Sequence, residues 1–186
     1  NIYGKVYLSR NEKILALRHY FTALRIAEEI KATNADKKRL KSELMRNSYL
    51  YLSQFYGSIE DYDKAIDNAT KAYEMLNNLT DKRVPYQRAI DINTIGNLFA
   101  AKKNYDIAIS YFERSIAMAD SLGFATLKMP GYISLLNQYL RMDQPQKAMD
   151  YLNSSAGNNL KQHLTTFGMS GMIDQAYGYV FSELNK

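Results

Sequence analysis

Two histidines, His19 and His163, are the side chains best suited to proton transfer or metal ligation near neutral pH. Neither has suitable company. His19 has no second histidine three to five residues away, the spacing that would set two ligands on one helix face. It therefore reads as a solvated or interfacial side chain, and His163 as partly exposed near the start of the last helix. The phrase Gly168-Met169-Ser170-Gly171-Met172 resembles a nucleophile elbow only superficially, because Met172 stands where that motif needs glycine. The carboxylate pairs Glu28-Glu29 and Glu60-Asp61 are sequence neighbours, so their side chains diverge on a helix or loop and read as solvated. No glycine-rich phosphate loop occurs. The absence of cysteine excludes a thiolate zinc site, a disulfide scaffold and a cysteine nucleophile. No catalytic residue, metal site or cofactor is expected, and the chain reads as noncatalytic.

Charge points to partners only weakly. The formal net charge is +5, with 24 basic and 19 acidic residues, so most of the positive charge is matched. The run Lys37-Lys38-Arg39 with Lys41 is flanked by Asp36 and Glu43 and reads as a solvated helix start rather than a phosphate-binding patch. No apolar run approaches the roughly 20 residues that a membrane helix needs. The first residues lack the uninterrupted apolar stretch of a signal peptide. Hydrophobic residues make up 46% of the chain, while glycine and proline number 9 and 3, which favours a globular, helical polypeptide.

The elements that would hold any site are set by an internal repeat. Four segments share an alanine followed by an apolar residue: Ala16-Leu17, Ala65-Ile66, Ala108-Ile109 and Ala148-Met149, separated by 49, 43 and 40 residues. Nine positions before each anchor stands an aromatic ring, Tyr7, Tyr56, Phe99 and Tyr139. Twelve before it stand Gly4, Ser53, Gly96 and Leu136, and four after it Tyr20, Ala69, Phe112 and Leu152. Alternating small and bulky columns at helical intervals let paired helices interdigitate. Helices are predicted over 1–9, 12–31, 35–56, 62–78, 84–102, 105–121, 126–141, 145–155 and 160–185. Thr33 and Asn34 supply a cap for the third, Pro85 suits the first turn of the fifth, and Gly123 can end the sixth. Gly57-Ser58 is expected to break the chain within the second unit, and Asn153 to Asn159 to form the clearest loop. Of the 16 tyrosines, those in the repeat columns are assigned to the core.

This pattern resembles the tetratricopeptide repeat (TPR), whose signature is an apolar residue, glycine and tyrosine on one helix, then alanine, an aromatic and alanine on the next. The third unit matches best, with Ile95-Gly96, Phe99, Ala108 and Phe112, and the first follows, with Gly4, Tyr7, Ala16, Tyr20 and Ala23. Ser53 and Leu136 replace glycine, Ala69 and Leu152 replace the aromatic, and the spacing exceeds the family's usual period of about 34 residues. The stretch GNLFAAKKNYDIAISYFERSIAMAD is also similar to repeat regions of bacterial sensor kinases and regulatory proteins. The resemblance implies an all-α fold, an α-α superhelix of antiparallel helix pairs. Residues 1–186 would form one TPR-like solenoid, about four repeats plus the first helix of a fifth. Tyr177-Gly178 and Phe181 would begin that fifth unit. Neither end has the polar face of a solenoid cap, so a segment of a longer protein is expected.

In this family the first helix of each pair lines the concave face. The resemblance therefore implies a groove for a protein or peptide, while the residues themselves give no expectation of membrane insertion or of a cofactor. Eleven residues before the anchors stand Lys5, Gln54, Asn97 and Asn137, and four earlier stand Asn1, Leu50, Asn93 and Ile133. Gln175 and Tyr179 extend the surface, while Tyr51 and Arg141 sit at its edge as an apolar face and an anion partner. Amide side chains both donate and accept, so Gln54, Asn93, Asn97 and Asn137 suit recognition of peptide backbone whatever the peptide's sequence. The function expected is a noncatalytic interaction scaffold, with a sensing segment of a bacterial regulator as its setting. The alternative is an RNA-binding helical-repeat protein, against which the long, irregular spacing weighs.

Overall fold

The computed structural model describes residues 2–10, 12–123, 125–166, 168 and 170–185. Asn1 and Met169, to which the sequence reading gave places, lie outside the described residues. The described chain forms α1 Ile2–Ser9, α2 Lys13–Glu29, α3 Ala35–Ser58, α4 Tyr62–Met75, a 3-10 turn Leu76–Asn78, α5 Val84–Ala101, α6 Tyr105–Ser121, α7 Ala125–Arg141, α8 Pro145–Asn153, α9 Ser155–Thr166 and α10 Gly171–Leu184. Successive helices pack on one another along the chain from α1 to α8. The architecture is an all-α superhelix of antiparallel pairs, with α1, α3, α5 and α7 as the first helices. Among the described residues no helix is long and apolar enough to cross a membrane.

The four anchor alanines, Ala16, Ala65, Ala108 and Ala148, are all 0% exposed. Each lies on the buried face of the second helix of its pair. A Cβ on Gly96 would stand 2.6 Å from Phe112 Cε1, and one on Gly4 would collide with the Tyr20 ring. The glycine column and the aromatic column are thus the two sides of one contact. In the fourth pair, where both columns hold leucine, Leu136 and Leu152 belong to one cluster with Leu160, Leu164, Ile173 and Val180. The close approach of α7 to α6 is provided instead by Gly131, where a Cβ would lie 2.5 Å from Ile116 Cγ1.

One turn is repeated inside all four pairs. Glu12, Asp61, Asn104 and Gln144 donate their backbone N–H to the carbonyls of Tyr7, Tyr56, Phe99 and Tyr139, at 2.8, 2.9, 2.9 and 3.2 Å. In three of these turns the preceding residue is left-handed without being glycine: Glu60, Lys103 and Asp143 have φ of 62°, 66° and 51°. This corrects the expected break at Gly57-Ser58, since α3 runs through Ser58. The reversal is set by distance from the anchor, not by the local glycine.

Asn34, Pro85 and Gly123 act as read. Asn34 Oδ1 accepts from Lys37 N at 2.9 Å, Pro85 sits in the first turn of α5, and Gly123 follows α6 with φ of 69°.

The C-terminal third departs from expectation. The segment 153–159 is almost wholly helical. Ser154 alone separates α8 from α9, and its Oγ accepts from Gly157 N at 3.2 Å, an N-cap. Gly157 belongs to that first turn because a Cβ would strike the carbonyls of Tyr151 and Leu152. The single helix expected over 160–185 is two, α9 and α10. Gly178 is exposed, with nothing within 4 Å of a Cβ among the described residues.

Candidate functional site

The expected face is carried by α1, α3, α5 and α7. At its start Lys5 Nζ lies 5.0 Å from the Tyr51 ring centroid, a cation–π contact at an exposed position. Tyr51 in turn stacks on buried Tyr20, with centroids 5.5 Å apart and planes 11° from parallel. The Gly4–Tyr20 packing that closes the first pair therefore also props the ring supporting Lys5. Gln54 is exposed one turn along α3 from Tyr51.

Farther along, Asn97 Oδ1 accepts from Ser134 Oγ at 3.3 Å, joining α5 to α7 across two repeats. Asn93 departs from the expected exposed ladder. It is only 7% exposed, and its Oδ1 has no hydrogen-bond partner among the described residues. Burial follows from its helix: α5 packs against α4, α6 and α7 at once, leaving few positions in water. Asn137, Gln175 and Tyr179 come together on a cleft of about 240 Å³ between α7, α9 and α10. Its apolar lining includes Leu136, Leu160, Leu164 and Ile173. Arg141 is exposed one turn beyond Asn137 at the end of α7. The candidate residues thus gather in two places, Lys5 with Tyr51 and Asn137 with Gln175 and Tyr179, with Asn97 between them.

His19, Lys41 and Arg39, weighed first for chemistry or charge, have packing, capping or ion-pairing roles. His19 stacks on Tyr7, with centroids 5.1 Å apart and planes 10° from parallel. Lys41, from the basic run, donates to the carbonyls of Glu28 and Ile30 at 2.7 and 3.3 Å, satisfying the end of α2. Arg39 pairs with Glu43 at 3.5 Å on the same helix. No group of three or more metal-ligating side chains is gathered among the described residues.

One buried pair escaped the sequence reading. Arg46 Nη2 donates to both carboxylate oxygens of Asp91, at 2.9 and 2.8 Å, tying α3 to α5. The two side chains are 11% and 6% exposed. Burial pushes the Asp91 carboxyl above its usual range, against the opposing pull of the Arg46 hydrogen bond and charge. No spacing rule joins residues 45 apart, so only their placement on successive first helices pairs them.

Comparison with known proteins bears on the fold. The chain is similar to BtubC (BKLC) from P. vanneervenii. That crystal structure superposes with a TM-score of 0.64 at 14% identity, over 98% of this chain and 77% of the other. Similarity at that level concerns the path of the backbone. No protein-family model matches the chain, and no curated protein does.

Proposed function

We propose that the chain is a noncatalytic protein- or peptide-binding scaffold of the tetratricopeptide kind, working through the face of its first helices. The observation that carries this reading is the apolar-lined cleft rimmed by Asn137, Gln175 and Tyr179, with exposed Asn97 bonded to Ser134 of α7, the helix that carries Asn137. The exposed amides of Gln54, Asn97 and Asn137 suit the donors and acceptors of a peptide backbone. The cleft suits an apolar side chain of the same peptide. Matched surface charge, seen in Arg39 with Glu43 and Lys71 with Asp67, favours a protein partner over a nucleic acid. A role as the interaction or sensing segment of a bacterial regulator fits this reading.

The test is selection of binders from a random peptide library displayed on phage, followed by calorimetry on the chain and its variants. Asn97→Ala and Asn137→Ala are each expected to weaken binding by about 1 kcal/mol without loss of helical signal. Selected peptides that bind the double variant as tightly as the parent chain would reject this face.

A further inference from the structure

A second cleft, of about 330 Å³, lies between α7 and α9, at the lower end of the volumes occupied by small-molecule sites. Its α9 wall is Asn159, Gln162, His163 and Thr166, spaced so that all four lie along one helix face. That polar stripe faces a neighbouring helix, while Leu160 and Leu164 beside it are buried in the adjoining apolar cluster. Across from it, buried Met129 and Tyr132 form an apolar and aromatic floor, and Lys128 stands at the edge. The Lys128 side chain is only 19% exposed and is held by a short hydrogen bond to Asp120 of α6. An ammonium carries three donors, so one partner leaves two for a ligand. The side-chain amides of Asn159 and Gln162 add further N–H groups, and none of the described residues lining the cleft is acidic.

From these donors, this floor and the absence of a lining carboxylate, we infer that the α7–α9 cleft binds a small organic anion with a compact aromatic or apolar body. The anionic group meets Lys128 and the α9 amides, and the body rests on Tyr132 and Met129. Carboxylates and phosphate monoesters share this chemistry, and the ligands chosen below separate them.

The experiment is an NMR titration of the isotope-labelled chain with benzoate, phenyl phosphate and the uncharged benzamide. Saturable shifts at Lys128, Asn159 and Gln162 with either anion, and much weaker shifts with benzamide, are the expected result. The tighter of the two anions identifies the head group. Lys128→Met should weaken anion binding by roughly tenfold, the loss of a charge-assisted hydrogen bond. Gln162→Ala, at an exposed position, should weaken it severalfold without disturbing the fold. Asp120→Asn frees the ammonium from its partner, so it should preserve or tighten binding. Benzamide binding as well as benzoate, or no saturable shift with either anion, overturns the inference. So does an Asp120→Asn loss equal to that of Lys128→Met, which would mean that Lys128 acts by bracing α7 on α6.

Discussion

Gly96 and Gly178 share a residue type and a helical setting, so they differ mainly in what surrounds them. An added methyl at Gly96 meets the Phe112 ring at 2.6 Å, whereas at Gly178 it meets nothing within 4 Å. Gly96→Ala should therefore cost about 1–3 kcal/mol through forced repacking. Gly178→Ala should stabilise by about 0.5–1 kcal/mol through reduced freedom of the unfolded chain. Urea denaturation of both variants checks the pair, and equal effects would show that packing at the glycine column is not what closes the hairpin. The left-handed turn residues give the opposite test. Lys103 is exposed at a φ of 66°, a conformation that costs a side-chain-bearing residue about 1–2 kcal/mol. Lys103→Gly should raise stability by about 0.5 kcal/mol after glycine's own entropic cost is subtracted. A fall in the urea midpoint would show that the Lys103 side chain stabilises the turn by more than the strain costs.

At the scale of helices and turns, the hairpins were legible where the sequence repeats and illegible where a single contact decides. The anchor alanines fixed α2, α4, α6 and α8 because each must lie flush against its partner, and all four are fully buried. The end of α3 was misplaced because glycine is an ordinary helix breaker, whereas the turn that forms depends on a left-handed residue five before the anchor. The α8–α9 junction was misread because serine, asparagine and glycine signal both loops and helix starts. Here Ser154 caps a helix that Gly157 lets approach α8. On the candidate face, positions fixed by column spacing, such as Asn97 and Asn137, stand exposed as read, but Asn93 is buried because α5 has neighbours on three sides. The Arg46–Asp91 link between α3 and α5 is the strongest electrostatic test at this scale. Arg46→Met would leave the Asp91 carboxylate buried without its donor, at a cost of about 3–5 kcal/mol. The sign with pH follows from the raised Asp91 value. Between the unfolded value near 4 and the higher folded one, the folded chain holds the extra proton, so this group's contribution to stability falls as pH rises. Removing Arg46 raises the folded value further and widens that window. The variant's deficit in denaturant midpoint should therefore grow from pH 4 towards pH 7, and a deficit constant across that range would mean that Asp91 does not ionise there.

For the molecule as a whole, a superhelix in which each pair touches only its neighbours distributes stability along the chain rather than into one centre. α1 buries only Gly4 among its described residues and packs chiefly on α2. In contrast, α5 buries eight residues, from Val84 to Ala100, and packs on three helices. Opening free energy should therefore rise from the α1 end towards α5 and α6, since local unfolding follows buried contact. Hydrogen exchange read by mass spectrometry should show α1 exchanging fastest of the first helices, and α5 with α6 slowest. The same quasi-linear logic predicts how damage spreads. Gly96→Ala strains the α5–α6 contact, so protection should drop in α5, α6 and the adjoining α7. The cluster of Leu152, Leu160, Leu164 and Val180 should keep most of its protection, because Gly96 has no part in it. Uniform loss of protection from α1 to α10 would contradict nearest-neighbour coupling and show that the described helices unfold as one cooperative unit.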